Sequence, residues 1–247
     1  QIVLHEIHIK PTLVVAEPDE CNISMTLGNR TFALPIIARC TSDDEATEFA
    51  DMGCLYVMET QDLKRFVTLM NYKGHVVSVS VDASPDKLSE IKELVEGGLR
   101  IDYITVKVPH AHSARVRNFL DEMRKVCPGS FIICGDVCTV DAVEYLQGHC
   151  DAIVYGNRHS PETGCGEVTP QVLNNCAVVS LVPLIADVLD DRTDPGDLAK
   201  LIAIGATASY YLPGYSGSDA HFIDYLKATL AETLSYSGHK QIKDMRI

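Results

Sequence analysis

The sequence predicts an α/β fold, a single-domain (β/α)₈ TIM barrel. Its length of 247 residues is typical of one such barrel. Short apolar runs rich in β-branched residues alternate with helical runs, and no linker rich in proline, glycine or serine interrupts them. Residues 1–34 precede the first predicted strand, so we expect them to form a cap or small ribbon before a barrel of residues 35–247.

The predicted strands are short and continuously apolar, as expected for parallel strands covered on both faces. They span residues 35–40, 54–59, 75–81, 103–108, 130–137, 152–156, 182–188 and 208–212. Helical segments separate them, of which 170–178 has the weakest pattern. These segments span residues 43–52, 61–71, 85–97, 113–127, 139–147, 170–178, 194–204 and 219–236.

Start and end signals support several of these helices. Ser84 before Pro85 and Asp194 before Pro195 favour a helix start, and Thr139 is a suitable N-cap for its helix. Glycine just beyond a helix end commonly takes the left-handed conformation. We expect this conformation at Gly53, Gly98, Gly148 and Gly205.

Composition excludes several classes of partner. A net charge of -13 argues against nucleic acid and anionic membranes, because both attract clustered lysine and arginine. No apolar run reaches the roughly 20 residues that span a bilayer, and the N-terminal residues lack a signal-peptide pattern. We therefore expect a soluble, cytoplasmic protein that binds neither nucleic acid nor membrane.

The cysteines are irregularly spaced, which is typical of reduced, buried thiols and not of a disulfide framework. Cys134 and Cys138 lie four residues apart in an apolar strand without a nearby histidine pair, so no metal site is predicted. The complete set is Cys21, Cys40, Cys54, Cys127, Cys134, Cys138, Cys150, Cys165 and Cys176.

Functional residues in this architecture lie at the carboxyl ends of the strands. Asp187 ends an apolar strand and needs a partner there, so we expect it to bind a ligand by accepting hydrogen bonds from hydroxyls. His110 and His112 either orient their turn or act, with Asp136, as acid–base groups. Asp82 either faces the ligand or only caps the following helix. The strand-end candidates are Arg39, Cys40, Glu59, Asp82, Pro109, His110, Ala111, His112, Asp136, Asn157, Arg158, His159, Asp187, Asp190, Asp191 and Gly214.

The two loops that usually hold a phosphate in such barrels, after the sixth and eighth strands, are short and poor in glycine. Arg158 and His159, beside Ser160 and Thr163, could hold a phosphate through charge-assisted hydrogen bonds instead. The alternative is a solvated loop in which Arg158 pairs with Glu162.

Several motifs then occur in a fixed order between residues 30 and 247. They are Leu34-Pro35-Ile36-Ile37-Ala38, His110-Ala111-His112-Ser113, Gly135-Asp136-Val137-Cys138-Thr139, Thr163-Gly164-Cys165-Gly166, and Ile185-Ala186-Asp187 with Pro195-Gly196-Asp197. Each is weak alone, but in this order the chain resembles the IMP dehydrogenase/GMP reductase family.

The resemblance implies a chemistry and a set of site residues. In that family a cysteine nucleophile adds to C2 of a purine nucleotide, and a hydride passes to or from NADPH or NAD. A purine-nucleotide ligand and a homo-oligomer, often a tetramer, are also implied. Cys165 is the candidate nucleophile, although it lies within Thr-Gly-x-Gly and matches no catalytic position of the family. The implied substrate-binding residues are Asp187, Asn157, Arg158, Ser160, Thr163, Gly164 and Gly214.

The chain also departs from the family pattern. The run Gly-x-Gly-Ser-x-Cys-Thr-Thr is absent after the sixth strand, and Val188-Leu189 and Pro213-Gly214 replace glycine pairs that offer N–H groups to the nucleotide phosphate. The aspartate that faces the nicotinamide ribose is replaced within Val106-Lys107-Val108. The segment before the last helix is too short for the family's mobile flap, and no regulatory module follows Glu59.

Three hypotheses follow. The first is a degenerate barrel, a pseudoenzyme that binds a nucleotide or another protein without the redox reaction. The second is an active GMP reductase-like oxidoreductase that uses Cys165 and NADPH. The third is a different small-molecule enzyme on the same fold, with Asp187, His110, His112 or Asp136 as acid–base groups.

Overall fold

The barrel predicted from the sequence is confirmed by the structure, a computed structural model that describes residue 4 and residues 7–156, 169–187, 195–214 and 219–246. Eight parallel strands close in the order β3 to β10, with β10 paired to β3. They are β3 Ile36–Cys40, β4 Leu55–Met58, β5 Ser78–Val81, β6 Tyr103–Lys107, β7 Phe131–Val137, β8 Ala152–Tyr155, β9 Leu184–Ala186 and β10 Ala208–Tyr211.

Each barrel strand is followed by a helix that packs on the outside. The helices are α1 Asp43–Asp51, α2 Leu63–Lys73, α3 Pro85–Glu96, α4 Ala114–Val126, α5 Val140–Leu146, α6 Pro170–Val179, α7 Pro195–Ala203 and α8 Asp219–Tyr236. The side chains of Ser84 and Thr139 accept hydrogen bonds from the N–H groups of Lys87 and Ala142, which caps α3 and α5 as predicted. Asp194 lies outside the described residues.

Two strands begin two or three residues later than predicted, and side chains take part of the backbone hydrogen bonding there. β5 begins only at Ser78, since Asp102 Oδ2 accepts from the N–H of Val77 and Tyr56 donates to the carbonyl of Val76. β9 begins only at Leu184, since the preceding residues form a turn closed by a serine hydroxyl. Apolar, β-branched composition alone therefore overstated both strands.

The prediction for the helix-end glycines is right at three positions and wrong at one. Gly53, Gly98 and Gly205 have φ of 71°, 84° and 123°. Gly148 is not among the glycines with positive φ. Helix α5 ends with Gln147 in the right-handed region, and the His149 N–H donates to the Leu146 carbonyl, so this turn needs no left-handed residue.

An antiparallel ribbon closes the amino-terminal end of the barrel. It consists of β1 Met25–Leu27 and β2 Arg30–Phe32. The buried side chains of β1 and β2 pack on the apolar residues that fill the barrel interior, and Tyr103 Oη donates to the Leu27 carbonyl at 2.8 Å. The turn requires Gly28, because φ is 66° and a Cβ would lie 2.8 Å from the ring of Phe131.

The apolar core has two layers. The inner layer lies within the barrel and includes Ile37, Val57, Ile133 and Val154, whereas the larger outer layer lies between strands and helices. Among the described residues, no helix is both long and apolar enough to cross a membrane.

We predict that Phe32→Ala lowers the free energy of unfolding by about 3–5 kcal/mol, because it empties part of the inner core. Phe32 is 5% exposed, and its ring packs edge-on against Tyr103 at 5.8 Å between centroids. Thr31→Ala, on the exposed face of the same strand, should cost less than about 1 kcal/mol. Urea unfolding measures both losses. A loss from Phe32→Ala no larger than that from Thr31→Ala would contradict a packing role of the ribbon in the inner core.

Candidate functional site

The alternation of side chains along each strand decides what faces the carboxyl-end mouth of the barrel. Ile37 and Ile185 belong to the inner core, so Arg39 and Asp187, two residues further along, point the same way at the mouth. By the same alternation Lys107 follows the inward Tyr103 on β6. The mouth therefore collects charged side chains directly above an apolar interior.

These side chains form one ion-pair network, which we call the mouth network: Arg39, Glu59, Lys107 and Asp187. Lys107 Nζ donates to Asp187 Oδ2 at 2.8 Å, and Arg39 Nη1 lies 3.9 Å from Asp187 Oδ1. Arg39 also donates from Nη2 and Nε to Glu59 Oε1, at 2.9 and 3.2 Å. Two cations thus balance two carboxylates.

Burial makes this pairing necessary. The side chain of Asp187 is only 12% exposed and that of Lys107 is 21% exposed. Burial acts to lower the pKa of Arg39, but the carboxylates of Glu59 and Asp187 outweigh it and raise that pKa. A carboxylate held this far from water is costly without a partner, so the cations stabilise it.

A layer of hydroxyls lies next to the mouth network. Lys107 Nζ lies 5.1 Å from the ring centroid of Tyr210. Burial, and then the charge of Asp187, raise the pKa of Tyr210 far above its usual value, so this phenol stays protonated. The hydroxyls of Tyr210 and Thr105 are buried without a hydrogen bond of normal geometry to the described residues.

The structure places Asp187 at the end of β9, but with a partner that differs from the one expected. Its carboxylate accepts from a lysine of this chain, whereas the sequence suggested hydroxyls of a ligand. Its backbone N–H donates to Tyr155 O, and a Cβ on Gly156 would lie 2.6 Å from the Asp187 carbonyl. Gly156 is therefore needed for close packing of the strand ends.

Gly214 also has its polar group occupied. Its backbone N–H donates to Asp219 Oδ1 at 3.1 Å, and Tyr211 Oη donates to the same oxygen at 2.7 Å. Asp219 is the first residue of α8. A carboxylate of the chain thus accepts from the N–H group that the resemblance assigned to a nucleotide phosphate.

Among the acid–base candidates, Asp187 belongs to the mouth network, Asp136 lies close enough to Tyr210 to raise its pKa, and the two histidines lie beside α5. The rings of His110 and His112 are 6.2 Å apart, and His112 packs against Tyr145 at 5.0 Å between centroids. The backbone of Asp136 holds their turn, since its N–H donates to Val108 O and its carbonyl accepts from Ala111 N–H. These contacts order the turn that carries the two histidines, whose turn-orienting and acid–base roles both stay predictions.

Asp82 does not itself cap α3, because the N-cap is Ser84, but its Oδ1 accepts from the N–H of that cap residue. Several other predicted positions lie outside the described residues. They are Asn157, Arg158, His159, Ser160, Thr163, Gly164, Cys165, Asp190 and Asp191.

The described thiols have the character of core residues. Cys21 is half-buried and the others are buried, and none of them forms a disulfide. Burial raises the pKa of Cys54 and of Cys176 to about 11, and that of Cys134 to about 12. Within the described part of the chain, no group of three or more His, Cys, Asp or Glu could hold a metal ion.

Sequence reasoning did not identify Lys107 and Asp219 as hydrogen-bond partners within this site. The sequence pattern identifies Lys107 only as a replacement for an aspartate, although a lysine at the end of an apolar strand signals a carboxylate nearby. It identifies Asp219 only as the start of a helix. Neither pairing can be read locally, because Lys107 and Asp187 are 80 residues apart.

We predict a coupling free energy of about 1–3 kcal/mol between Lys107 and Asp187. Substitution of either residue removes the main partner of the other in a half-buried site. Lys107→Met, Asp187→Asn and the double variant form the cycle, measured by urea unfolding. The exposed pair Glu122–Lys125, at 2.6 Å on α4, is the control and should couple by less than about 1 kcal/mol. Equal coupling in both pairs would show that the mouth network adds nothing special.

Comparison with known proteins gives the family. No family model matches the chain. GMP reductase of Variovorax paradoxus is 33% identical over 208 residues, which are 78% of this chain and 63% of that protein. GMP reductases of Enterococcus faecalis and Bacillus subtilis are 31% and 33% identical over 210 residues, again 78% of this chain and 64% of each relative.

The chain thus spans somewhat less than two thirds of the length of these relatives. The sequence similarity covers 78% of this chain. It agrees with the order of the motifs in the sequence and with the closed barrel in the structure. The chain belongs to the IMP dehydrogenase/GMP reductase family.

Proposed function

We propose that this chain is a pseudoenzyme of the family, a barrel that lacks the redox reaction and acts through protein contacts. One observation carries the proposal. The mouth network uses Lys107 to neutralise Asp187, at the strand end where the family resemblance implies a bound nucleotide.

The first step concerns the ligand hydroxyls. Asp187 Oδ2 accepts a charge-assisted hydrogen bond from Lys107, which is about twice as strong as a neutral one, and Oδ1 lies 3.9 Å from Arg39. A ribose hydroxyl would therefore have to share Asp187 with two cations of the chain. This contact favours a mouth filled by side chains of the chain itself over an open nucleotide site.

The second step concerns the phosphate. The Asp219 carboxylate accepts from the Gly214 N–H and from Tyr211 Oη. A phosphate at the same position would meet a like charge, which repels it. The charged side chains at the mouth thus disfavour both the ribose and the phosphate of a nucleotide.

The third step concerns the nucleophile. The family reaction needs a thiolate, and burial raises the pKa of the Cys40, Cys134 and Cys150 thiols, which holds them protonated. Cys165 lies outside the described residues, and the sequence around it lacks the family's run Gly-x-Gly-Ser-x-Cys-Thr-Thr. These features support a barrel without turnover.

We predict that the chain neither oxidises NADPH with GMP nor reduces NAD with IMP. Any measured rate should lie at least about a thousandfold below that of an active relative. The measurement is absorbance of the reduced nicotinamide, with GMP reductase of Bacillus subtilis as the positive control. Calorimetry should show no heat for GMP or IMP at millimolar concentration. Turnover contradicts the proposal. Binding without turnover that weakens in Asp187→Ala would favour the nucleotide-binding pseudoenzyme over the protein-contact one.

An active GMP reductase-like oxidoreductase is the second candidate, because the relatives that match over 78% of this chain are named GMP reductase. It would use NADPH as the hydride donor and Cys165 as the nucleophile. Cys165→Ala separates the two candidates. Under the second candidate it abolishes NADPH oxidation, and Cys176→Ala, which alters a buried thiol on α6, is the control.

A surface suited to protein contact lies beside the end of α8. The side chains of Leu13, Val14 and Val15 are 82%, 42% and 51% exposed. Tyr236 is 56% exposed, and its carbonyl accepts from the N–H of Thr12. Contiguous exposed apolar side chains of this kind mark interaction sites, and the family resemblance implies a second copy of the chain as the occupant.

We predict that the chain forms an oligomer at micromolar concentration, and that Leu13→Ser with Val15→Ser shifts it toward the monomer by removing buried apolar area. Sedimentation velocity measures the distribution. Tyr72→Ser is the control, because Tyr72 is 89% exposed but belongs to α2, a different part of the chain. A monomeric wild type, or an oligomer unchanged by the double substitution, would contradict this surface.

A further inference from the structure

A cavity of about 400 Å³ lies at the amino-terminal face of the barrel, at the opposite end from the mouth network. The turns that precede β9 and β10, the ribbon strand β1 and residues 241–246 near the end of the chain enclose it. Its volume lies within the range of small-molecule sites, about 300–1,000 Å³. Active sites of such barrels lie at the other face, so this cavity is separate from the reaction site of the family.

The charged side chains that line this cavity are all cationic. They are Lys243 and Arg246, and no aspartate or glutamate is among the lining residues. Lys243 makes no ion pair among the described residues, and Arg246 only donates to the Thr207 hydroxyl. Both residues are exposed, so their charges are accessible to a ligand from solvent.

The pKa of Arg246 also indicates that an anionic partner is missing. Although Arg246 keeps contact with solvent, partial burial lowers its pKa, and no neighbouring carboxylate offsets that effect. An anion in the cavity would supply the missing charge.

A neighbouring cavity of about 240 Å³ at the same face provides a comparison. Its arginines, Arg30 and Arg124, are paired with Asp102 and Asp151. The positive charges of that cavity are neutralised by carboxylates of the chain, whereas those of the cavity around Arg246 are not. These two cavities therefore differ in charge balance.

The remaining walls define the rest of the ligand. Ile202, Ala206 and Ile242 are buried apolar side chains that line the cavity, and Leu181, which also lines it, is 85% exposed. Gln241 lines the cavity and adds an amide with no hydrogen bond to another described side chain. The walls thus combine an apolar surface with hydrogen-bond donors near two cations.

We propose that this cavity binds a small organic anion, with its carboxylate or phosphate on Arg246 and Lys243 and its apolar body against Ile202 and Ile242. Arginine is suited to either anion, because its planar guanidinium donates two parallel hydrogen bonds. This site is independent of the proposed function, since it shares no residue with the mouth network.

Calorimetry on the wild-type chain with phenyl phosphate and with benzoate, at constant ionic strength, tests the proposal. We expect at least one of them to bind at millimolar concentration or below, whereas phenol, which lacks the anionic group, should give no heat. Stronger binding of phenyl phosphate indicates a phosphate ligand and stronger binding of benzoate a carboxylate. Absence of heat from both overturns the proposal.

Variants locate the binding. Arg246→Gln and Lys243→Gln should each weaken it about tenfold, because each removes a charge-assisted hydrogen bond. Arg246→Lys should recover part of the loss, which separates lost charge from misfolding. Lys240→Gln is the matched control, since it removes the same charge from the same segment without lining the cavity, and should change binding less than about twofold.

Two further results would overturn the site. One is binding that is indifferent to both Arg246 and Lys243. The other is binding that is lost in Lys107→Gln but retained in Arg246→Gln, which would place the anion at the mouth network.

Discussion

Closure of eight parallel strands into a barrel is the constraint on which the other features depend. Once the sheet is closed, every second side chain faces the interior, and the last inward residue of each strand must end at the mouth. Residues as far apart in sequence as Arg39, Lys107 and Asp187 then meet in one layer. The ribbon of β1 and β2 covers the opposite end, so the apolar interior is closed at both ends.

The mouth layer shows how a charge at the end of an apolar strand is accommodated. Desolvation disfavours a lone carboxylate, so a partner must come either from a ligand or from the chain. In this chain the partner of Asp187 is Lys107, and the Gly214 N–H is likewise taken by Asp219. Both contacts replace interactions that the family resemblance assigns to a nucleotide, and this is the physical basis of the proposed loss of redox activity.

The two ends of the barrel differ in charge balance. At the mouth, Arg39 and Lys107 are matched by Glu59 and Asp187. At the amino-terminal face, the cavity around Arg246 holds cations without carboxylates. Unbalanced positive charge at a cavity favours a small anion there. The proposed anion site follows from that asymmetry.

Local sequence pattern determined the barrel, the approximate strands and helices, the caps at Ser84 and Thr139 and the strand-end position of Asp187. Apolar runs and capping residues act over a few neighbouring residues, so they can be read directly from the chain. The tertiary structure alone decided where β5 and β9 begin, that Gly148 needs no left-handed backbone, and that Asp187 pairs with Lys107. These outcomes depend on side chains brought together by barrel closure across as many as 80 residues, a separation over which local propensity carries no information.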